Sequence, residues 1–260
     1  MFTSGRNFAK NSFRVTCLHT RLLAWATVCL FLAAGAHAQE LSQLLPAFDT
    51  PMQVRLLRIE DNVATFLDRK NHENSIPFSK FVRWGSMHEP VDVDQVLMTD
   101  GSIFIGRIAA INGVHVVLET SHFGELSLPR SSVRAVIWKL PTDPLEQWTF
   151  RDGLSKPTEQ EKIVLKNGDS LAGKLVSGDH RKLRFDADAG EAELNVELVS
   201  AWQSSEEVNV DVRNPIVLGL RDGTKLVAEE VRLDHRLQVK LACGMPLGTC
   251  LLYTSDAADE

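Results

Sequence analysis

The sequence predicts an all-β protein built of tandem small five-stranded barrels, and three features carry that prediction. Turn dipeptides recur at matching places, apolar and polar residues alternate between them, and glycine stands where the alternation slips phase. Val96-Leu-Met-Thr-Asp-Gly101 aligns with Ile163-Val-Leu-Lys-Asn-Gly168 and, one residue longer, with Val217-Leu-Gly-Leu-Arg-Asp-Gly223. Beyond the first two glycines come Gly106 and Gly173, each followed by a cation and an aliphatic residue, Arg107-Ile108 and Lys174-Leu175. In the third copy Ala228 takes the glycine's place and Glu229 the cation's. Internal similarity of this kind marks a repeat protein.

The clearest copy justifies its elements in order. Asp100-Gly101 and Asn112-Gly113 are dipeptides that favour type I′ hairpins, whose two central residues need positive φ. Ile103, Ile105 and Ile108 alternate between them and change phase across Gly106, as a bulge or barrel corner requires. Residues 114–119, 125–128 and 133–138 supply the remaining strands. Tryptophan closes two units, at Trp138 and Trp202, and Phe81-Val-Arg-Trp84 ends a more divergent unit that begins near Met52.

The ends of the chain differ from this body. Residues 1–21 carry Arg6, Lys10, Arg14 and Arg21 and no acid, residues 22–35 are apolar, and Ala36-His37-Ala38 follows. A basic stretch, a short apolar core and an Ala-x-Ala exit form a secretory signal, with a retained anchor as the rival reading. Fourteen apolar residues span roughly 21 Å as a helix, against a bilayer core of about 30 Å. At the other end, Cys250-Leu-Leu-Tyr-Thr-Ser-Asp-Ala-Ala-Asp-Glu260 resembles the translation of a sequencing-library adapter, which makes a fragment the expectation. The organisation expected is therefore a signal peptide at 1–38, a divergent first β repeat at 39–88 and a second barrel repeat at 90–138. An insertion or linker at 139–162, a third repeat at 163–204, a truncated fourth at 214–249 and the adapter-like tail at 250–260 complete it. An open fourth unit leaves strand edges unpaired, so residues 214–260 are expected to fold poorly and 90–203 to be best formed.

With these residues in view, the pattern resembles the small Sm-like or SH3-like barrels. More specifically it is similar to exported planctomycete-type proteins that carry several such barrels ahead of an NPCBM-like carbohydrate-binding module. The resemblance runs over residues 52–248 through Val-Arg-Trp-Gly85, Phe-Gly-Glu-Leu-Ser-Leu-Pro129, Leu-Lys-Asn-Gly168 and Leu-Arg-Asp-Gly223. It implies tandem barrels and says nothing of an activity.

Charge narrows the function classes. The chain has 28 Lys+Arg and 34 Asp+Glu, a net charge of −6. Without the four cations ahead of Gln39 and the three acids after Thr249 the balance is 24 against 31, a net charge of −7. Nucleic acid, which calls for basic patches, is a poor partner for such a protein. Cys243 is the one cysteine between signal and tail, and it reads as a small apolar residue.

Signatures of catalysis are missing: no Gly-x-Ser-x-Gly, His-Glu-x-x-His, Walker loop or dinucleotide fingerprint occurs. His72, His88, His115, His122, His180 and His235 lack metal-ligand spacing. Asp186, Asp188 and Glu191 form a weak calcium candidate, set against an acidic turn between two strands. In the insertion, Trp148 and Phe150 either contact a ligand or staple the segment onto a neighbouring barrel. No enzyme and no cofactor is expected. The leading expectation is an exported, non-catalytic scaffold or interaction protein of barrel repeats, periplasmic or extracellular. The alternative is the front part of a carbohydrate-binding or carbohydrate-processing protein. The partners expected are a cell-envelope protein or polysaccharide, with the membrane met only through the signal. Expressed in a secreting bacterial host, the mature chain should begin at Gln39, which N-terminal sequencing of the exported product checks.

Overall fold

The structure, a computed structural model, describes residues 41–47, 49–85, 93–187, 190–205, 210, 215–234 and 236–251. Strands dominate, because the described segments alternate in polarity between turns, and the one α-helix among the described residues lies in the insertion. The first unit holds β1 (Ser42–Pro46), β2 (Met52–Glu60), β3 (Val63–Asp68), β4 (Glu73–Pro77) and β5 (Phe81–Trp84). The second holds β6 (Gln95–Met98), β7 (Ile103–Ile105), β8 (Arg107–Ile111), β9 (His115–Thr120), β10 (Gly124–Pro129) and β11 (Val133–Ile137). After helix α1 (Pro144–Ser155) come β12 (Glu161–Leu165), β13 (Ser170–Asp179), β14 (Lys182–Ala187), β15 (Gly190–Asn195) and β16 (Val199–Gln203). The fourth unit contributes β17 (Ile216–Gly219), β18 (Lys225–Leu233), β19 (Arg236–Leu241) and β20 (Pro246–Leu251).

The first three units share one antiparallel ladder. The first strand lies between the fifth and the second, and the third and fourth follow outward, as in β5-β1-β2-β3-β4. In the second unit the second strand is divided at Gly106 into β7 and β8. A single 3-10 turn joins the fourth strand to the fifth in each, at Phe78–Lys80, Arg130–Ser132 and Val196–Leu198.

This arrangement corrects the expected fold. Among the described residues no ladder joins a fourth strand to a fifth, so the units do not close into small barrels. In the second and third units the free edge of the fifth strand is instead taken by the neighbouring unit. β11 pairs with β16 through Ala135↔Gln203, Val136↔Trp202 and Ile137↔Ala201. Second strands also meet, with Gly178 opposite Ile111 between β13 and β8 and Leu233 opposite Ile59 between β18 and β2. Lys225 stands opposite Ile103 between β18 and β7. All twenty strands among the described residues thereby belong to one hydrogen-bonded sheet. Pairing edges in this way hides N–H and C=O groups that would otherwise recruit other chains.

One apolar core runs through the units. Phe66, Phe104, Ile108, Leu118, Leu128, Ile163, Phe185 and Trp202 are all fully buried in it. A second, smaller cluster of Leu97, Ala135, Ile137, Leu154 and Ala201 lies under α1. The fourth unit is organised as well: Leu226, Ala228 and Leu241 are fully buried, where poor folding was expected. The two-residue turn with both φ positive falls at Asp61-Asn62, not at the dipeptides that suggested it. Asn112 instead accepts the Val114 and His115 N–H groups on its side chain, an Asx turn.

The glycines at the phase slip have a packing reason. A Cβ on Gly106 would sit 2.2 Å from the Glu119 carbonyl oxygen. On Gly173, whose φ is +155°, it would sit 2.3 Å from the Asp186 carbonyl oxygen. Both positions precede a bulge, at Ile108/Ala110 and Leu175/Ser177. Gly173→Ala should therefore lower stability by about 2–3 kcal/mol, from strain and overpacking together. Gly113→Ala meets open space and should change it by less than about 1 kcal/mol. Urea denaturation of the two variants checks the contrast.

Candidate functional site

The Glu161 carboxylate, at the start of β12, gathers several buried donors. Arg130, in the 3-10 turn ahead of β11, donates to both of its oxygens at 2.9 and 2.8 Å. The Leu175 N–H donates to Oε2 at 2.8 Å, just beyond the glycine bend of β13. The Trp202 indole Nε1 donates to the same oxygen at 3.1 Å. Arg130 also lies over the Trp202 ring, 4.9 Å from its centroid, and donates to the Asn112 carbonyl at 3.1 Å. A planar guanidinium satisfies both demands, a bidentate carboxylate and an aromatic face. The network ties the second unit to the third, and its members are too enclosed to meet a ligand.

Asp94 holds the corresponding place in the second unit. Its Oδ2 accepts the Ile108 N–H at 3.0 Å, just past the Gly106 bend. Burial holds its carboxyl above the ordinary carboxylate range, while that hydrogen bond and Arg107 pull the other way. A third polar seam joins the second and fourth units. Asp100 accepts from Ser102 N at 2.8 Å and Cys243 N at 3.1 Å, Ser102 Oγ accepts from Val227 N, and Thr224 Oγ1 accepts from Ile105 N. Burial pushes the Cys243 thiol up to about 11, which leaves it protonated at neutral pH and unreactive.

The surface that differs from the rest is on α1. Asp143 caps it, accepting from Leu145 N at 2.9 Å and Glu146 N at 3.0 Å, and Pro144 opens its first turn. Phe150 and Leu154 turn toward the sheet and pack with Leu97, Ala135, Ile137 and Ala201. Gln203 Nε2 donates to the carbonyls of Leu154 and Lys156, and Arg151 donates to Gln95. The opposite face presents Leu145 at 72% and Trp148 at 66% exposure, three residues apart and so neighbours on the helix. Asp143 and Glu146 stand exposed at the same end of the helix, and Asp152 pairs with Lys156 at 2.8 Å. The two aromatic residues singled out from sequence thus part: Phe150 staples the insertion and Trp148 faces solvent. Asp143 followed by proline was the available signal for a helix here.

Asp186 and Glu191 are cross-strand neighbours on β14 and β15, Glu191 pairs with Arg184, and Asp188 lies outside the described residues. Among the described residues no group of three His, Cys, Asp or Glu side chains could hold a metal. His72 pairs with Asp68 at 3.2 Å and His122 approaches Asp222 at 3.5 Å, while His88 and His235 lie outside the described residues. The depressions lined by Arg184, Glu191 and Glu193 and by Glu230, Lys240 and Leu247 are open surface hollows.

Removing one partner of the Arg130–Glu161 pair strands a buried charge. Glu161→Ala should cost about 3–5 kcal/mol, and pairing it with Arg130→Met should restore much of that, read by denaturant midpoints. Asp94→Asn keeps an acceptor for Ile108 N–H and removes the buried charge. Because the folded value of Asp94 is raised, its parent is favoured below the unfolded value of 3.8 and loses stability as pH rises through the folded one. The variant should be the more stable at pH 7, with the gap closing at pH 3, as thermal melts across that range will show.

No known family, no curated protein and no solved structure matches this chain. The resemblance to exported tandem-barrel proteins is corrected by the open, unit-spanning sheet, and with it the reading as a scaffold of SH3-like barrels. A carbohydrate-binding role rested on that resemblance alone and is withdrawn with it. What stands is an all-β chain of related open units joined through their edges.

Proposed function

We propose that the chain is an exported, non-catalytic protein that binds a cell-envelope polypeptide on the outer face of α1. The observation that carries this reading is the pair Trp148 and Leu145, two large apolar side chains held in solvent on a helix that the sheet anchors from behind. Indole side chains dominate binding energy at protein interfaces, since they offer a wide rigid area at low entropic cost. The acids about the pair favour a partner that sets Lys or Arg beside an apolar side chain. The N-terminal signal pattern supports export, and the net negative charge disfavours nucleic acid.

The test is binding of the purified chain to solubilised envelope proteins, with and without Trp148→Ala and Leu145→Ala. The double variant should weaken binding about 30-fold or more and leave unfolding within about 0.5 kcal/mol of the parent. Phe150→Ala, on the buried side of the same helix, should lower stability instead. Equal retention of parent and double variant would overturn the reading.

A further inference from the structure

Four dipeptides of Asp or Asn followed by glycine stand at turns between the described strands, and one of them is built differently. In Asp100-Gly101, Asn167-Gly168 and Asp222-Gly223 the glycine has a φ of +87°, +89° and +90°. Its N–H donates to the carbonyl three residues back, that of Met98, Leu165 and Leu220, at 3.1, 3.0 and 3.1 Å. Gly113 departs on both counts. Its φ is not positive, and its N–H has no hydrogen-bond partner among the described residues.

That difference bears on a reaction open to any Asn-Gly pair. The glycine backbone nitrogen gives up its proton and attacks the asparagine Cγ. The bond from Cγ to Nδ2 breaks, ammonia leaves, and a five-membered succinimide forms. Water then opens either carbonyl of the ring, leaving aspartate or isoaspartate. The attack is eased when the nitrogen can lose its proton and when the negative charge arriving on Oδ1 is held.

Asn112 meets both conditions. Its Oδ1 accepts the Val114 and His115 N–H groups, each at 2.8 Å, so two donors already face the atom on which charge develops. Arg130 Nη1 donates at 3.1 Å to the Asn112 carbonyl, which belongs to the same peptide group as the attacking nitrogen. A cation there stabilises that group once its proton has gone. Both residues are exposed, and the space beside Gly113 is open to water. Asn167 is exposed too but lacks these features. Its Oδ1 accepts one N–H, from Asp169 at 3.1 Å, its Nδ2 is held by the Asp169 carboxylate at 2.7 Å, and the Gly168 N–H is occupied.

We propose that Asn112 is a self-modification site, deamidated through a succinimide with Gly113 ahead of Asn167, with Arg130 activating the attacking peptide group. The product sets a carboxylate beside the Arg130–Glu161 pair, at the junction of the second and third units. The site is independent of the outer face of α1.

The purified chain, incubated warm at mildly alkaline pH, is followed by peptide mapping that separates asparagine, aspartate and isoaspartate. Products should accumulate at 112 roughly fivefold or more faster than at 167, the weight of about one hydrogen bond in a rate. In denaturing urea the two sites should react alike. Equal rates in the folded chain, a faster Asn167, or the same preference in urea would overturn the proposal. The double variant Arg130→Met with Glu161→Ala removes the cation together with its buried partner. It should slow the reaction at 112 and leave 167 unchanged, whereas a purely structural role for Arg130 would loosen the turn and speed it. An unchanged or faster reaction at 112 in that variant would therefore also contradict the proposal.

Discussion

A fifth strand in this chain has one edge on its own unit and a second edge to place, and the rest of the molecule depends on where that second edge goes. Returned to the fourth strand, it would close a small barrel and leave each unit self-contained. Here β11 and β16 give those edges to each other, in the register Val136↔Trp202. Once that ladder forms, the second and third units cannot separate without exposing paired backbone groups, each of which is expensive to strip of its partner. The buried Arg130–Glu161–Trp202 network lies at the same junction and fixes its register rather than its existence.

The insertion follows from that junction. Pairing β11 with β16 creates a continuous outer face of small and aliphatic residues, Leu97, Ala135, Ile137 and Ala201, which needs a cover. Helix α1 supplies it with Phe150 and Leu154, and in doing so holds Leu145 and Trp148 on its far side. The apolar face toward solvent is thus a consequence of where the sheet needed the helix. The half-buried Leu218 and Trp84 mark the opposite case, edges to which no fifth-strand ladder is given among the described residues.

Much of this was legible in the residues, and the part that was not has a physical cause. Alternation and the glycines at phase slips located the bent second strands at Gly106 and Gly173, where a Cβ would clash with a facing carbonyl. The turn type at Asn112 was misjudged because an Asn side chain can satisfy the turn without positive φ at either residue. Closure was misjudged for a deeper reason. A strand's pattern specifies which face is buried, while the choice between two chemically identical edges is made by tertiary packing. The Glu161 network also escaped notice, since its members Arg130, Glu161 and Trp202 are distant in sequence and each is ordinary alone. Of the candidate site, Trp148 was visible as an aromatic in a proline-bounded insertion, and its separation from Phe150 required the helix.

The central claim is that the units are one sheet and not separate barrels, and equilibrium unfolding in urea tests it most directly. Tryptophan emission reports on the first three units through Trp84, Trp138 and Trp202, and far-ultraviolet circular dichroism reports on all four. Shared ladders make the units unfold together, so the two signals should trace one coincident, steep transition. Two or more staggered transitions, each shallow enough for a domain of about fifty residues, would contradict it and return the chain to a string of independent folds.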